Sequence, residues 1–299
     1  MHYAEIALEL ETRDPRLHTL VAPGTTLHCI AGGFVFTEGP IWVAAEQAVI
    51  FSDIIGNTMY RWSAADGLSV FRQPSNMANG NTLDGVGRIV TCEHATSRVV
   101  RAEHDGTLTV LASHYNGREL NSPNDIVISS NGSIYFTDPT SGRTAKWGVE
   151  RAPELPFRGV YAIAPDGTLT LLVDDFSKPN GLCFDADERH LFVNDTDRAH
   201  IRVFDLRDDG TLVNGRLWAE LTGTGEGVAD GMKIDAQGNI YCCGPGGIHV
   251  VAADATSLGV LHLPEKVANF AWGDADRGTL YITASTSLYA LPTLVPGYR

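Results

Sequence analysis

The sequence is short of several features that would assign it to a familiar class of protein. No stretch approaches the ~18 uninterrupted apolar residues of a membrane span. The first twenty residues mix Glu, Arg, Asp and His, unlike a secretory signal. Lys and Arg number 22 against 36 Asp and Glu, a net charge of −14, so a basic nucleic-acid surface is not expected. We therefore expect a cytoplasmic protein that binds neither membranes nor nucleic acid, with an oligomeric state that these features leave open.

The motifs of several common enzyme classes are missing too. No Gly-x-Ser-x-Gly elbow is present to supply the nucleophile of a serine hydrolase. The glycine-rich Gly244–Gly247 lacks the Lys-Ser/Thr of a phosphate-binding loop. Five cysteines, without the spacing of a zinc site, are expected to be reduced and mostly buried: Cys29, Cys92, Cys183, Cys242 and Cys243. No segment longer than ~11 residues keeps a helical period, which favours an all-β chain.

What the chain has instead is a sixfold repeat. Six short segments each begin with an oxygen-bearing side chain, followed by an apolar run, a polar turn and a second β-rich run. We call the first residues of these segments the anchor residues: Glu38, Asn79, Asn124, Asn180, Asp230 and Asn269. They are 39 to 56 residues apart, a period typical of a radial repeat built from strands.

Each repeat predicts four antiparallel strands, the blade of a β-propeller. In the third repeat the strands are predicted at 125–129, 133–137, 159–163 and 169–173. A β-sandwich has too few strands to explain the repeat, and the paired Gly-His and Trp-Asp signals of WD propellers do not recur. The last repeat lacks its outer strand, and we expect residues 26–30 to supply it, because closing the ring removes exposed edges.

The predicted architecture is thus an all-β, six-bladed β-propeller closed by an N-terminal strand. We expect one domain over residues 1–299, with an N-terminal extension at 1–17. A long insertion in the third blade, residues 140–158, is expected to overhang the mouth of the central channel.

The first strand of every blade lines the axis of a propeller, so all six anchor residues should meet at one mouth. Glu38, Asn124, Asn180 and Asp230 are the expected principal members, because two carboxylates and two amides offer hard oxygen donors. Such a set suits Ca²⁺ or Mg²⁺ better than Zn²⁺. The alternative is that the Asn-Gly and Asp-Gly pairs are only turns.

Three acidic residues, which we call the second tier of acids, lie at the ends of second strands on the same face as the anchor residues. Asp53, Asp138 and Asp195 each follow their anchor residue by 14 or 15 positions. They are expected either to contact the ligands from behind or merely to cap tight turns. His94 is a weaker candidate for a general base, since most of the ten histidines should be structural.

Several of these segments resemble the gluconolactonase family, also called the senescence marker protein or regucalcin-like family. The resemblance spans roughly residues 35 to 292 and is carried by Thr37–Trp42, Asn121–Val127, Ile134–Pro139, Lys178–Leu182 and Ala229–Met232. It implies a propeller with one divalent cation at the axis, calcium being favoured and Mg²⁺, Mn²⁺ or Zn²⁺ the alternatives. By this likeness Glu38, Asn180 and Asp230 bind the metal and Asn124 contacts metal or substrate.

The likeness also implies roles in catalysis and substrate binding. Asp230 corresponds to the family's catalytic acid or base. Animal members carry an arginine two residues before the matching asparagine, where this chain has Ser122. Arg118 or Arg143 could take its place, and Glu154 in the insertion either meets substrate hydroxyls or is a solvated charge.

The leading hypothesis is a metal-dependent lactonase that opens a gluconolactone-like sugar lactone to its hydroxy acid. The cation would polarise the ring carbonyl, and Asp230 would assist the attacking water. Two alternatives stay open. One is a phosphotriesterase-like hydrolase similar to diisopropyl fluorophosphatase, and the other is a non-enzymatic, calcium-binding regulatory propeller.

Overall fold

Residues 4–298 are described by the structure, a computed structural model, and nearly all of its regular elements are strands. Three short 3₁₀ helices interrupt them at Pro15–Thr19, Ala44–Glu46 and Ser141–Arg143. Within this part of the chain, no helix has the length and apolarity needed to cross a membrane. All five cysteines are free thiols, and four of them are buried.

The strands form six antiparallel sheets, the blades of a six-bladed β-propeller. The chain begins with β1 (Ala4–Ala7), β2 (Glu9–Thr12) and β3 (Thr26–Gly32). Blade 1 contains β4 (Thr37–Val43), β5 (Ala48–Asp53), β6 (Thr58–Ser63) and β7 (Gly67–Arg72). Blade 2 contains β8 (Ala78–Leu83), β9 (Ile89–Glu93), β10 (Arg98–Ala102) and β11 (Leu108–Ala112). A small hairpin of β12 (His114–Tyr115) and β13 (Arg118–Glu119) leads to the next blade.

The second half of the chain repeats the arrangement. Blade 3 contains β14 (Ile126–Ile128), β15 (Ile134–Asp138), β16 (Gly159–Ile163) and β17 (Leu169–Val173). Blade 4 contains β18 (Pro179–Phe184), β19 (His190–Asp195), β20 (His200–Leu206) and β21 (Leu212–Glu220). Blade 5 contains β22 (Met232–Ile234), β23 (Ile240–Gly244), β24 (Gly247–Val251) and β25 (Ser257–His262). Blade 6 contains β26 (Val267–Gly273), β27 (Thr279–Ala284) and β28 (Ser287–Pro292).

The first strands of the six blades surround the axis. Each contacts the first strand of the next blade, from β4 through β8, β14, β18 and β22 to β26 and back to β4. Burial falls from this ring outward: β5 is buried throughout, whereas the outer strand β7 is mostly exposed. The apolar core therefore lies between neighbouring blades, and the predicted fold class is confirmed.

The ring is closed by a strand from the start of the chain, as predicted. β3 pairs antiparallel with β28, so His28 faces Ala290 and Ala31 faces Leu288. The sequence did not predict β1 and β2, which add a further strand to two different blades. β1 pairs with the outer side of β3 in blade 6, and β2 pairs with β25 in blade 5. The N-terminal extension thus joins two neighbouring blades across their outer edges.

Leu17 fixes this extension to the body of the propeller. It lies in the 3₁₀ helix Pro15–Thr19, is fully buried, and belongs to a core cluster that includes Leu258 and Leu261. We expect Leu17→Ala to lower the free energy of unfolding by about 2–5 kcal/mol, since it leaves a cavity in a close-packed core. Urea unfolding followed by fluorescence measures this change.

Leu68→Ala is the matched control for Leu17→Ala. Leu68 lies on the outer strand of blade 1 and is 42% exposed, so the loss should stay within about 0.5 kcal/mol. Equal effects of the two substitutions would show that the extension is only loosely attached to blades 5 and 6.

Candidate active site

The anchor residues lie at irregular points of the first strands. Four of them, Glu38, Asn79, Asn180 and Asn269, are inside those strands and not before them, and the pairing with the second strand shifts register there. Asn124 and Asp230 lie two residues ahead of their strands, as predicted. Side chains along a strand normally alternate between its two faces. An extra residue at a register shift changes the direction of the side chain, so an anchor there need not follow this alternation.

The glycines that follow four anchors are not turn glycines. A Cβ at Gly39 would overlap the carbonyl oxygen of Asn79, and a Cβ at Gly181 would overlap that of Asp230. A Cβ at Gly80 would likewise overlap the carbonyl oxygen of Asn124, and a Cβ at Gly231 would overlap the side chain of Asn269. Glycine is required here because successive anchor segments touch one another around the axis. The interpretation of these pairs as turns is therefore wrong.

Second-strand side chains hold the anchor backbones in place from the preceding blade. Ser52 Oγ donates to the carbonyl oxygen of Asn79 at 2.8 Å, and Thr137 Oγ1 donates to that of Asn180 at 2.8 Å. Asn194 Nδ2 donates to the carbonyl oxygen of Asp230. Each anchor is thus positioned by two blades at once, which only the closed ring provides.

The four principal candidates are all buried, with exposures between 3% for Glu38 and 8% for Asp230. Burial and the charges of Asp230 and Asp125 raise the pKa of Glu38 well above its ordinary value. Burial also raises the pKa of Asp230 to about 7, and the charge of Lys266 opposes this shift. The two carboxylates therefore lie close enough to repel each other, far from bulk water.

Several oxygen atoms around the axis have no hydrogen-bond partner among residues 4–298. These buried atoms include Asn79 Oδ1, Asn180 Oδ1 and Asp125 Oδ2. Asn180 directs its Nδ2 to Thr196 Oγ1 at 3.1 Å, so only its oxygen is left over. A buried acceptor without a donor is costly, and a cation would satisfy it. No three His, Cys, Asp or Glu side chains within residues 4–298 form a metal-binding group; the axial set mixes carboxylates with amides.

The second tier of acids holds the backbone leading to the anchors. Asp53 accepts from Val35 N and Phe36 N, both at 2.9 Å. Asp138 accepts from Asn121 N and Ser122 N at 2.8 and 2.7 Å. Asp195 contacts Ser177 N and Lys178 N at 2.8 and 3.1 Å. These amides lie two or three residues before an anchor, so the acids cap the segments that lead to the anchors. Direct contact of these acids with the ligands stays a prediction.

The third-blade insertion reaches across to the first blade. Trp147 lies edge-on against Phe36, two residues before Glu38, with ring centroids 4.6 Å apart. His94 Nδ1 donates to the carbonyl oxygen of Trp147 at 2.9 Å, while Nε2 accepts from Asn79 Nδ2 at 3.0 Å. Burial lowers the pKa of His94 to about 4. His94 is therefore a neutral link between the insertion and an anchor.

The predicted substrate-binding residues lie at the base of the insertion. Arg118 Nη1 donates to the carbonyl oxygen of Glu154 at 3.3 Å, and Glu154 Oε2 accepts from Glu119 N at 2.7 Å. Both side chains are exposed, and their role in binding substrate stays a prediction. Arg143 is buried and bonds Glu119, Ala152 and two further carbonyl oxygens. It supports the insertion and is not free to replace the arginine of the animal family members.

Sequence reasoning missed three charged residues at the axis. Asp125 follows an anchor where most blades have glycine, and Lys233 lies three residues after Asp230. Lys233 Nζ is 3.7 Å from Asp125 Oδ2. Lys266 Nζ lies 5.9 Å from the ring of Phe36 at the mouth. Asp125 could have been noticed in the sequence, because it replaces the glycine of most other repeats. The two lysines do not recur from blade to blade, so no sequence pattern indicated them.

The fold and the site define a class: six-bladed propellers with an oxygen-rich axial site beneath one mouth. The family model described as SMP-30/Gluconolactonase/LRE-like region matches residues 36–286. The chain therefore belongs to this family, as the sequence resemblance predicted.

Individual relatives agree with this assignment. The gluconolactonase of Zymomonas mobilis is 32% identical over 303 residues, covering 94% of this chain and 85% of the relative. The pentonolactonase of Haloferax volcanii is 24% identical and covers 83% and 81%. The solved structure of a gluconolactonase from Xanthomonas campestris superposes with a TM-score of 0.89 at 30% identity, covering 97% of both chains. The relatives thus belong to the class of enzyme that the sequence analysis expected.

Proposed function

We propose that this protein hydrolyses a sugar lactone to its hydroxy acid at the axial mouth. One observation carries the proposal: Glu38, Asn180 and Asp230, from three different blades, converge in a buried site. The relatives named for gluconolactone and pentonolactone hydrolysis support the reaction class. A carboxylic ester hydrolase without a serine elbow needs another way to activate water, and these residues offer one.

The axial residues suit a divalent cation. The buried and unpartnered Asn180 Oδ1 and the mutually repelling carboxylates of Glu38 and Asp230 are the donors such an ion requires. Glu38, Asn180 and Asp230 would hold it, with Asn124 beside them. Oxygen donors favour Ca²⁺ or Mg²⁺. When bound, the ion would supply positive charge that polarises the lactone carbonyl.

Asp230 is our candidate for the residue that transfers protons. Burial raises its pKa to about 7 in the cation-free protein, and a bound cation would lower this pKa. Asp230 would therefore act through a carboxylate oxygen that the cation leaves free. It would take a proton from water as the water oxygen bonds to the carbonyl carbon. When the ring C–O bond breaks, the proton returns to the ring oxygen, which becomes a hydroxyl.

Two lysines near the mouth would supply positive charge to the carboxylate product. Hydrolysis converts a neutral lactone to a carboxylate and releases one proton at neutral pH. Lys178 and Lys266 are half-buried, and their charges lower the pKa of Asp230. Neither forms an ion pair with a residue of the described chain. Their ammonium groups would stabilise negative charge as it develops, because charge interactions strengthen away from bulk water.

Proton release tests the proposal. With glucono-lactone or a pentonolactone and added Ca²⁺ or Mg²⁺, we expect turnover on the order of 1–10³ s⁻¹, well above spontaneous hydrolysis. A pH-stat records it, with boiled enzyme as the control. Diisopropyl fluorophosphate runs in parallel, and its turnover without lactone turnover would instead support the phosphotriesterase-like alternative. Cation binding without any turnover would support a regulatory propeller.

A further inference from the structure

Lys233 extends beneath the anchor residues from the first strand of blade 5. Its side chain is 23% exposed, and it lines a cavity of about 530 Å³ that opens among first-strand residues such as Ile41, Ile128 and Trp272. These residues follow the anchors along their strands, so the cavity lies on the side of the axis away from the mouth. The ammonium group of Lys233 therefore stands between this cavity and the candidate active site.

Lys233 is one of two donors that orient the Asn269 amide. Lys233 Nζ donates to Asn269 Oδ1 at 3.2 Å, and Phe270 N donates to the same oxygen at 2.9 Å. Since an ammonium group has donors and no acceptor, the oxygen of this amide must face it. Asn269 Nδ2 is then directed to Glu38 Oε2 at 3.1 Å. A continuous path of hydrogen bonds thus runs from Lys233 to a candidate ligand.

Lys233 also balances a carboxylate that no other group neutralises. Asp125 is 4% exposed at its side chain, and Lys233 is its ion-pair partner within residues 4–298. Asp125 adds a third negative charge to those of Glu38 and Asp230. A divalent cation and Lys233 would together offset these three negative charges beneath the anchors, while Lys178 and Lys266 act on Asp230 from the mouth; buried charges need such partners.

Lysine is scarce in this chain. The sequence contains only four lysines among its 22 basic residues, and the other ion pairs within the described residues use arginine or histidine. A compact point charge on a flexible stem suits a narrow channel better than a planar guanidinium.

We propose that Lys233 is a positioning residue of the axial site, a built-in cation that offsets Asp125 and holds Asn269 against Glu38. Through these contacts it keeps the site from binding its divalent cation too tightly, and thus preserves the positive charge that the lactone carbonyl meets. The catalytic half of this inference rests on the proposed function, whereas the cation-binding half does not.

A double-mutant cycle of Lys233→Met and Asp125→Asn tests the proposal. Lys233→Met leaves one extra negative charge in the site, so we expect Ca²⁺ or Mg²⁺ to bind about tenfold more tightly, while kcat falls about tenfold. The cation-free protein should melt at a lower temperature. In the double variant the dissociation constant and melting temperature should return to the wild-type values. Its kcat should stay below wild type, because Asn269 has lost one of its two donors.

Isothermal titration with CaCl₂ and MgCl₂ measures the binding, and scanning calorimetry in chelator measures the melting temperature. Opposite changes in affinity and kcat separate this role from simple structural damage, which would weaken both. Unchanged affinity for both ions in Lys233→Met would overturn the proposal, as would a cation-free double variant that melts no higher than Lys233→Met, or a wild-type protein that binds neither ion. Tighter cation binding by Lys233→Met in a protein without lactone turnover would uphold Lys233 and reject the proposed function instead.

Discussion

Asp230→Asn should lower kcat/KM for lactone hydrolysis by about 10³-fold, the loss typical of a removed proton-transfer or charge-stabilising group. Asparagine has nearly the same shape, and the Asp230 backbone is fixed by Asn194 and by its contact with Gly181. The fold should therefore persist while the site loses its proton acceptor and one charge. Initial rates in a pH-stat with saturating Ca²⁺ or Mg²⁺ measure the effect.

Asp187→Asn is the matched control for Asp230→Asn. Asp187 is exposed in a turn of blade 4, and its substitution should leave kcat/KM within about twofold of wild type. If Asp230→Asn also stays within that range, Asp230 has no part in catalysis. Activation of water would then have to be assigned to another group.

Removal of the divalent cation should abolish activity and lower the melting temperature. Without a cation, Glu38 and Asp230 are left buried and mutually repelling, which is costly. At a free ion concentration of 100 times the dissociation constant, binding adds about 2.7 kcal/mol to the free energy of unfolding. Scanning calorimetry in chelator, followed by titration with Ca²⁺, Mg²⁺, Mn²⁺ or Zn²⁺, measures the gain for each ion.

Glu38→Gln tests whether Glu38 binds the cation or only supports the site, because the two roles predict different changes in melting temperature. In chelator the variant should melt at a higher temperature than wild type, because one of the repelling charges has gone. With the ion present it should gain little, since the site has lost a charged donor. Equal gains in the two proteins would place the cation elsewhere. A cation that raises the melting temperature but not the turnover would favour the structural role.

The third blade shows how much of the fold could be predicted from the sequence. Its outer two strands were predicted with the bounds that the structure has, Gly159–Ile163 and Leu169–Val173. Apolar runs separated by Asn-Gly and Asp-Gly turns determine such hairpins locally. β1 and β2 escaped prediction because four-residue, largely exposed segments become strands only when another part of the chain offers an open edge.

The candidate site was predicted less completely than the fold. The anchor residues repeat with the blades, so Glu38, Asn124, Asn180 and Asp230 could be chosen from the sequence. Arg118 and Glu154 remain predictions, and Arg143 proved to be part of the support of the insertion. Trp147, which reaches Phe36 from another blade, carries no pattern that would reveal its partner.

The sequence by itself determined the blades, their number and the chemical character of the axial oxygens, because strand pattern and turn chemistry act over a few residues. Only the tertiary structure decided which oxygens lose their hydrogen-bond partners, which carboxylates repel each other, and that Lys233 meets Asp125 and Asn269. Those properties depend on distances between residues far apart in the chain, and closure of the ring sets those distances.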